Sequence, residues 1–180
     1  MTEVNPARIG VTGTPGTGKS SLCKLASSSI SVADLAADAG ALGEVNTSDS
    51  AAPIDIDLLR EHLAGEWAHA PPENILVDGH LSHLLPIDAV VILRCDPRIL
   101  TERMEARGWS ERKVAENAEW ELLGGAWNEH EEWVGVPTLE LESTDDSSKT
   151  LYKSLCAWIG VGFKPTSPER QIDWVERIHG

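Results

Sequence analysis

Short apolar bursts punctuate the chain at residues 9–11 (Ile-Gly-Val), 75–77 (Ile-Leu-Val), 89–93 (Ala-Val-Val-Ile-Leu) and 138–141 (Thr-Leu-Glu-Leu). Each has the length of a strand, and stretches with helical spacing separate them, so the pattern predicts an α/β fold. A strand covered by helices on both faces becomes apolar without alternation, as Val90-Val91-Ile92-Leu93 is. The expected arrangement is therefore a doubly wound parallel sheet, with Ile30 and Val32 adding a short fifth strand. In such sheets ligands sit beyond the carboxyl ends of the strands, which directs attention to residues 13–20, 78–80 and 94–96.

The helical stretches carry their own start and stop signals. A helix from about Asp55 has carboxylates in its first turn and Leu59, Leu63 and Trp67 along one face, before Pro71-Pro72 ends it. It reads as a flap over the sheet, preceded by a polar loop at residues 43–50. Asp96-Pro97 caps a helix that runs through Leu100 and Met104 to Gly108. A further helix covers residues 111–123, with Val114, Ala118 and Leu122 expected inward, and stops at Gly124-Gly125. Leu151, Leu155 and Trp158 mark another over residues 149–159, and a last amphipathic piece spans residues 172–178. At 180 residues the whole is expected to form one domain over residues 1–180.

After the first strand stands Gly13-Thr14-Pro15-Gly16-Thr17-Gly18-Lys19-Ser20, opening into the helical spacing of Ser21-Leu22-Cys23-Lys24-Leu25. Glycines at these spacings let backbone N–H groups turn inward around a polyphosphate, and a helix start adds partial positive charge. In this pattern Lys19 reaches the β- and γ-phosphates of a nucleoside triphosphate and the Ser20 hydroxyl sits on Mg²⁺. Asp78 follows three apolar strand residues, where proteins with such a loop keep the acid of the magnesium shell. Two readings stand for His80: it aligns a water or an acceptor phosphate, or it is a surface histidine. Arg103 and Arg107 lie one helical turn apart and are candidates to cover a transferred phosphoryl group, against a reading as an exposed face paired with glutamates. Arg94 ends a strand on the ligand side; it either serves the ligand or pairs with Asp96.

Charge and cysteine content narrow the field. Fifteen basic against 29 acidic residues give a net charge of −14, which disfavours direct nucleic-acid binding and anionic membranes. Cys23, Cys95 and Cys156 are odd in number and widely spaced, which fits neither a disulfide framework nor a zinc site. With no apolar run of membrane length and no signal-peptide pattern at the start, the expected location is cytoplasmic. The seven tryptophans are spread along apolar faces and helix ends, as packing residues rather than a base-stacking platform. The carboxylates of residues 129–132 read as a solvated helix face or a surface for a basic partner.

The loop motif, Val77-Asp78-Gly79-His80, Ile92-Leu93-Arg94-Cys95-Asp96, and the run from Arg103 through Arg107-Gly108-Trp109-Ser110 into Glu116-Asn117 together resemble the adenylate kinase 6/Fap7-type (CINAP) proteins of archaea and eukaryotes. The resemblance covers roughly residues 7–133. It implies a P-loop NTPase fold with five parallel strands, a nucleoside monophosphate-binding segment at about 31–54 and a short lid at about 106–116. It implies ATP contacts at Gly13, Gly16, Gly18, Lys19, Ser20 and Ser21, with Arg107 closing from the lid, and catalytic roles for Lys19, Asp78, His80 and Arg107. It further implies phosphoryl transfer from ATP to AMP or another nucleoside monophosphate, ATPase activity, and a part in small ribosomal subunit maturation through ribosomal protein uS11. One position departs from the pattern: Asp34-Leu35-Ala36 is followed by Ala37 where relatives carry a phosphate-clamping arginine, leaving Arg60 on the flap as the substitute.

Overall fold

A computed structural model describes residues 4–45 and 52–180. Five strands, β1 (Arg8–Gly13), β2 (Ser29–Ser31), β3 (Ile75–Asp78), β4 (Ala89–Arg94) and β5 (Thr138–Glu142), form one sheet in the order β2-β3-β1-β4-β5, every pair parallel. Val32, expected with the fifth strand, instead opens the next helix. Around the sheet lie α1 (Lys19–Cys23), α2 (Val32–Asp38), α3 (Ile56–Glu66), α4 (Pro97–Ala106), α5 (Glu111–Leu122), α6 (Ser148–Gly160) and α7 (Trp174–His179). Of the acceptor segment expected at 31–54, residues 46–51 lie outside the described residues, as does most of the polar loop.

Strand alternation divides the core between the two faces. Val77, Val90 and Ile92 point to one side, where they meet Leu35 of α2, Leu59 and Leu63 of α3, and Trp133. Leu76, Val91 and Leu93 point to the other and pack with Ile9, Val11, Leu22 and the α6 stripe Leu151, Leu155 and Trp158. Leu59 and Leu63 are fully buried, each contributing about 1.5–3 kcal/mol, and this anchors the flap helix to the sheet. Asp55 caps α3 through Leu58 N at 3.0 Å, Asp96 caps α4 through Arg98 N at 2.9 Å, and Ser110 caps α5 through Lys113 N at 3.3 Å.

Several local expectations need correction. The helix after the loop motif begins at Lys19 itself and is only five residues long, because the serine-rich stretch that follows turns straight into β2. In α5 Val114 is buried as expected, but the other inward residue is Glu121, whereas Ala118 and Leu122 are half-buried. The carboxylates of residues 129–132, read as a solvated helix face or a surface for a basic partner, lie in a 3-10 helix over residues 125–133, with Glu129 departing from helical geometry inside it. Trp133, Trp158 and Trp174 are core residues, but Trp120 is 39% exposed.

Candidate functional site

The loop between β1 and α1 keeps its shape because its glycines adopt backbone angles closed to other residues. Gly13, Gly16 and Gly18 have φ of 147°, 93° and 96°. A Cβ on Gly13 would lie 2.5 Å from the Leu93 carbonyl oxygen, and one on Gly16 would press 3.0 Å against Leu100. The Thr14 carbonyl is the hub of the turn: it accepts from Thr17 N at 3.2 Å, Thr17 Oγ1 at 2.7 Å and Lys19 Nζ at 3.1 Å. Lys19 Nζ also donates to the Gly13 carbonyl at 2.8 Å, so the ammonium is folded over the loop. Burial lowers its pKa to about 8, against the upward pull of Asp78 and then Glu121. With α1 so short, the positive field of the cradle comes from loop amides and Lys19 more than from a helix dipole.

Parallel pairing of β1 with β3 sets Val11 beside Asp78 and brings that carboxylate to the loop. Ser20 Oγ donates to Asp78 Oδ2 at 2.8 Å, so the two oxygens expected around magnesium stand together. Among the described residues no group of three or more His, Cys, Asp or Glu side chains could hold a metal ion. Two hard oxygen donors facing a phosphate cradle suit Mg²⁺, which takes few protein ligands and fills its octahedron with phosphate oxygens and water.

His80 borders two cavities that flank the loop. One, of about 250 Å³, is lined by Lys19, Ser20 and Asp78 on one side and by Val32 and Ile54 on the other. The second, of about 410 Å³, lies between residues 12–15 and α5, with Trp109, Lys113, Asn117 and Trp120 on its outer wall. His80 is exposed at its edge, but desolvation and then the charges of Lys19 and His83 press its pKa down, favouring neutral imidazole. Lys113 Nζ stands over the Trp109 ring at 4.2 Å. A further cavity, of about 860 Å³, opens at the amino-terminal ends of the strands near Arg8 and Phe163, away from this chemistry.

Of the arginines, Arg107 caps the end of α4, exposed, yet near enough for its charge to lower the Lys19 pKa. Arg103 is not a free helix face: it donates to the backbone carbonyls of Ser143 (2.7 Å), Thr144 (3.1 Å) and Gly16 (3.4 Å), tying α4 to the loop. Arg94 does not pair with Asp96. It is buried and bonds Glu121 and Glu140, while Asp96 holds Arg98 at 2.6 Å. Ser21 lies exposed in α1 and Ala37 exposed on α2. Arg60 pairs with Glu132 at 3.3 Å beside a separate acidic cavity that also includes Glu129 and Glu131.

His83 was not singled out from sequence, yet it is 2% exposed and braces the site. Its Nδ1 lies 2.7 Å from Thr12 Oγ1 and its Nε2 3.1 Å from Glu129 Oε1. With Nε2 donating to Glu129, Nδ1 is left as an acceptor, and the one proton of the Thr12 hydroxyl is shared between Nδ1 and the His80 carbonyl, 3.1 Å from Thr12 Oγ1. Burial lowers its pKa against the opposing pull of Glu129. The unfolded chain therefore binds a proton near the ordinary histidine value while the fold resists it, and stability falls as pH drops below about 6.5. Urea midpoints at about pH 7.5 and about pH 5.5 are expected to fall more steeply for the wild type than for His83→Gln. Equal slopes would contradict the assignment.

A family model described as an AAA domain matches residues 9–124. A protein from Pyrococcus abyssi is 34% identical over 93% of this chain and 91% of its own length, and one from Thermococcus onnurineus is 37% identical over the same shares. A relative from Halobacterium salinarum is 34% identical over 89% of this chain and 94% of its length; all three bear the name "Putative adenylate kinase". Among solved structures, a gluconokinase from Sinorhizobium meliloti 1021 superposes with a TM-score of 0.55 at 18% identity, covering 88% of this chain and 94% of its own. That likeness, with the parallel sheet and the domain match, shows a P-loop NTPase fold. Among the described residues no helix is long and apolar enough to cross a membrane. The chain belongs to the family of archaeal proteins named "Putative adenylate kinase".

Proposed function

We propose that this protein transfers the γ-phosphoryl group of ATP to AMP or another nucleoside monophosphate in the cytoplasm, with ATP hydrolysis as the leak when no acceptor is present. The observation that carries the reading is Lys19 folded over the loop beside the Ser20–Asp78 pair, with a cavity on either side of His80. In this reading Gly13, Gly16, Gly18, Ser20 and Ser21 supply the cradle, Ser20 and Asp78 hold Mg²⁺, and Lys19 and Arg107 offset the charge that spreads over the transferred group. When bound, Mg²⁺ supplies neutralisation of the β- and γ-oxygens. His80, kept neutral, aligns the acceptor oxygen or a water by hydrogen bonding. The chain acts as one domain, with residues 31–54 as the acceptor-binding segment and 106–116 as a lid whose closure excludes water.

The test is ADP formation from ATP and Mg²⁺ with and without each nucleoside monophosphate. Strong stimulation by one monophosphate, with ADP appearing from donor and acceptor alike, is the expected result; turnover unmoved by every monophosphate would defeat the kinase reading.

One feature favours a second reading. Ala37 leaves the flap without its arginine, Arg60 is engaged with Glu132, and an acidic groove of Glu129, Glu131 and Glu132 complements a basic partner. The protein is then an ATPase assembly factor of the CINAP type acting on ribosomal protein uS11 during small-subunit maturation. A stoichiometric, ATP-sensitive complex with uS11, together with no AMP-stimulated ADP formation, would select it.

A further inference from the structure

We infer that Glu121 is a positioning residue for the phosphate-binding loop, and that the carboxyl-terminal helix α7 helps set the grip of that loop on nucleotide by completing the Glu121 site. The inference rests on reading residues 13–20 as a nucleotide cradle.

Glu121 has no solvent exposure, so its carboxylate must be matched by donors inside the protein. Oε1 accepts from Arg94 Nε at 2.9 Å, Cys95 N at 3.1 Å and Trp174 Nε1 at 3.0 Å. Oε2 accepts from Thr14 Oγ1 at 2.5 Å. One side chain of α5 thus joins the end of β4, the first residue of α7 and the phosphate loop.

Thr14 is the point of the loop where such a tether matters most. Its carbonyl holds Thr17 and Lys19, so a shift of Thr14 moves the whole turn and the resting place of the ammonium. Gly125 closes over the bond: a Cβ there would stand 3.1 Å from Glu121 Oε2 and 3.6 Å from Thr14 Oγ1. With water kept out, the charge-assisted hydrogen bond keeps its strength.

The tail is held by the same cluster. Glu140 Oε1 accepts from Ile172 N at 2.8 Å, and Arg94 Nη1 donates to the Ile172 carbonyl at 3.1 Å. Trp174, 3% exposed, then places its indole N–H on the oxygen that Arg94 shares. A carboxylate held from β4 and α7 on one oxygen presents the other to Thr14 in a single orientation.

The experiment is a double-mutant cycle on the full chain with Thr14→Val, which removes one donor and keeps the shape, and Trp174→Phe, which removes the indole donor and leaves a small gap in the core. MgATP affinity and the KM and kcat of ATP turnover are read, with thermal midpoints to confirm folding. Each single variant is expected to weaken MgATP binding about tenfold, the scale of one hydrogen bond to a charged group. The double variant should lose clearly less than the product of the two, because both act through Glu121. Thr14→Ser should recover most of what Thr14→Val loses, which mere packing would not produce. Folded single variants that bind MgATP like the wild type, or strictly multiplicative losses, would overturn the coupling. Wild-type protein that fails to bind MgATP at all would instead overturn the nucleotide-cradle reading.

Discussion

Replacing Lys19 with alanine is expected to lower ATP turnover by about a thousandfold or more while leaving the fold intact. In the fold the ammonium is desolvated and satisfied by the Gly13 and Thr14 carbonyls at 2.8 and 3.1 Å. Two neutral carbonyls are weak holdings for a full charge, and burial lowers its pKa to about 8. A polyphosphate entering the cradle offers oxygens of opposite charge at the same place, so the lysine gains far more from the ligand than from the loop. Lys113 lines the neighbouring cavity and Arg107 sits exposed at the end of α4; neither occupies the position over residues 13–14. Arginine should not restore activity, since a planar fork needs more room than a single ammonium over a tight turn. Because the half-buried ammonium is desolvated at a cost to the fold, its removal is not expected to lower the thermal midpoint. Steady-state ADP formation together with a melting curve checks both halves, and near-wild-type turnover in folded Lys19→Ala would remove the basis of the proposed function.

The parts of this molecule that were readable from sequence are those written contiguously. The run Val90-Val91-Ile92-Leu93 announces a strand covered on both faces, and β4 is indeed the fully buried strand between β1 and β5. The loop motif is legible for the same reason, since its glycines, lysine and serine lie within a single turn of chain. What escaped depends on partners far apart. Arg94 finds Glu121 27 residues on and Glu140 46 residues on, whereas the nearby Asp96 was the partner that spacing suggested. Helical periodicity likewise put Leu122 inside α5, since a glutamate reads as surface until a buried cation is known to face it. The carboxylates of residues 129–132 looked like a solvated helix, yet Glu129 turns to His83. A histidine with no motif around it gave no signal that β1 would present Thr12 to it.

Replacing Arg94 with methionine is expected to cost about 3–5 kcal/mol of stability, the largest loss foreseen for any single residue here. The side chain is 1% exposed and fills its volume with charge rather than hydrocarbon. It donates to Glu121 Oε1 at 2.9 Å, the Glu121 carbonyl at 3.1 Å, Glu140 Oε2 at 3.0 Å and the Ile172 carbonyl at 3.1 Å. Methionine matches the bulk but leaves two buried carboxylates facing each other with no cation between them. Trp174, Trp127, Thr14 and backbone amides still donate to them, yet neutral donors do not offset two charges in a low-dielectric interior. Set against the roughly 5–15 kcal/mol that holds a domain of this kind together, the loss threatens folding near 37 °C. The penalty belongs to the orphaned charges and not to the missing contacts, which a second variant separates. Arg94→Met combined with Glu121→Gln and Glu140→Gln should recover most of the lost stability in urea denaturation, because no ion is then left without its partner. If the triple variant were as unstable as Arg94→Met alone, the guanidinium would be acting through its hydrogen-bond geometry, and the electrostatic account of this cluster would fail.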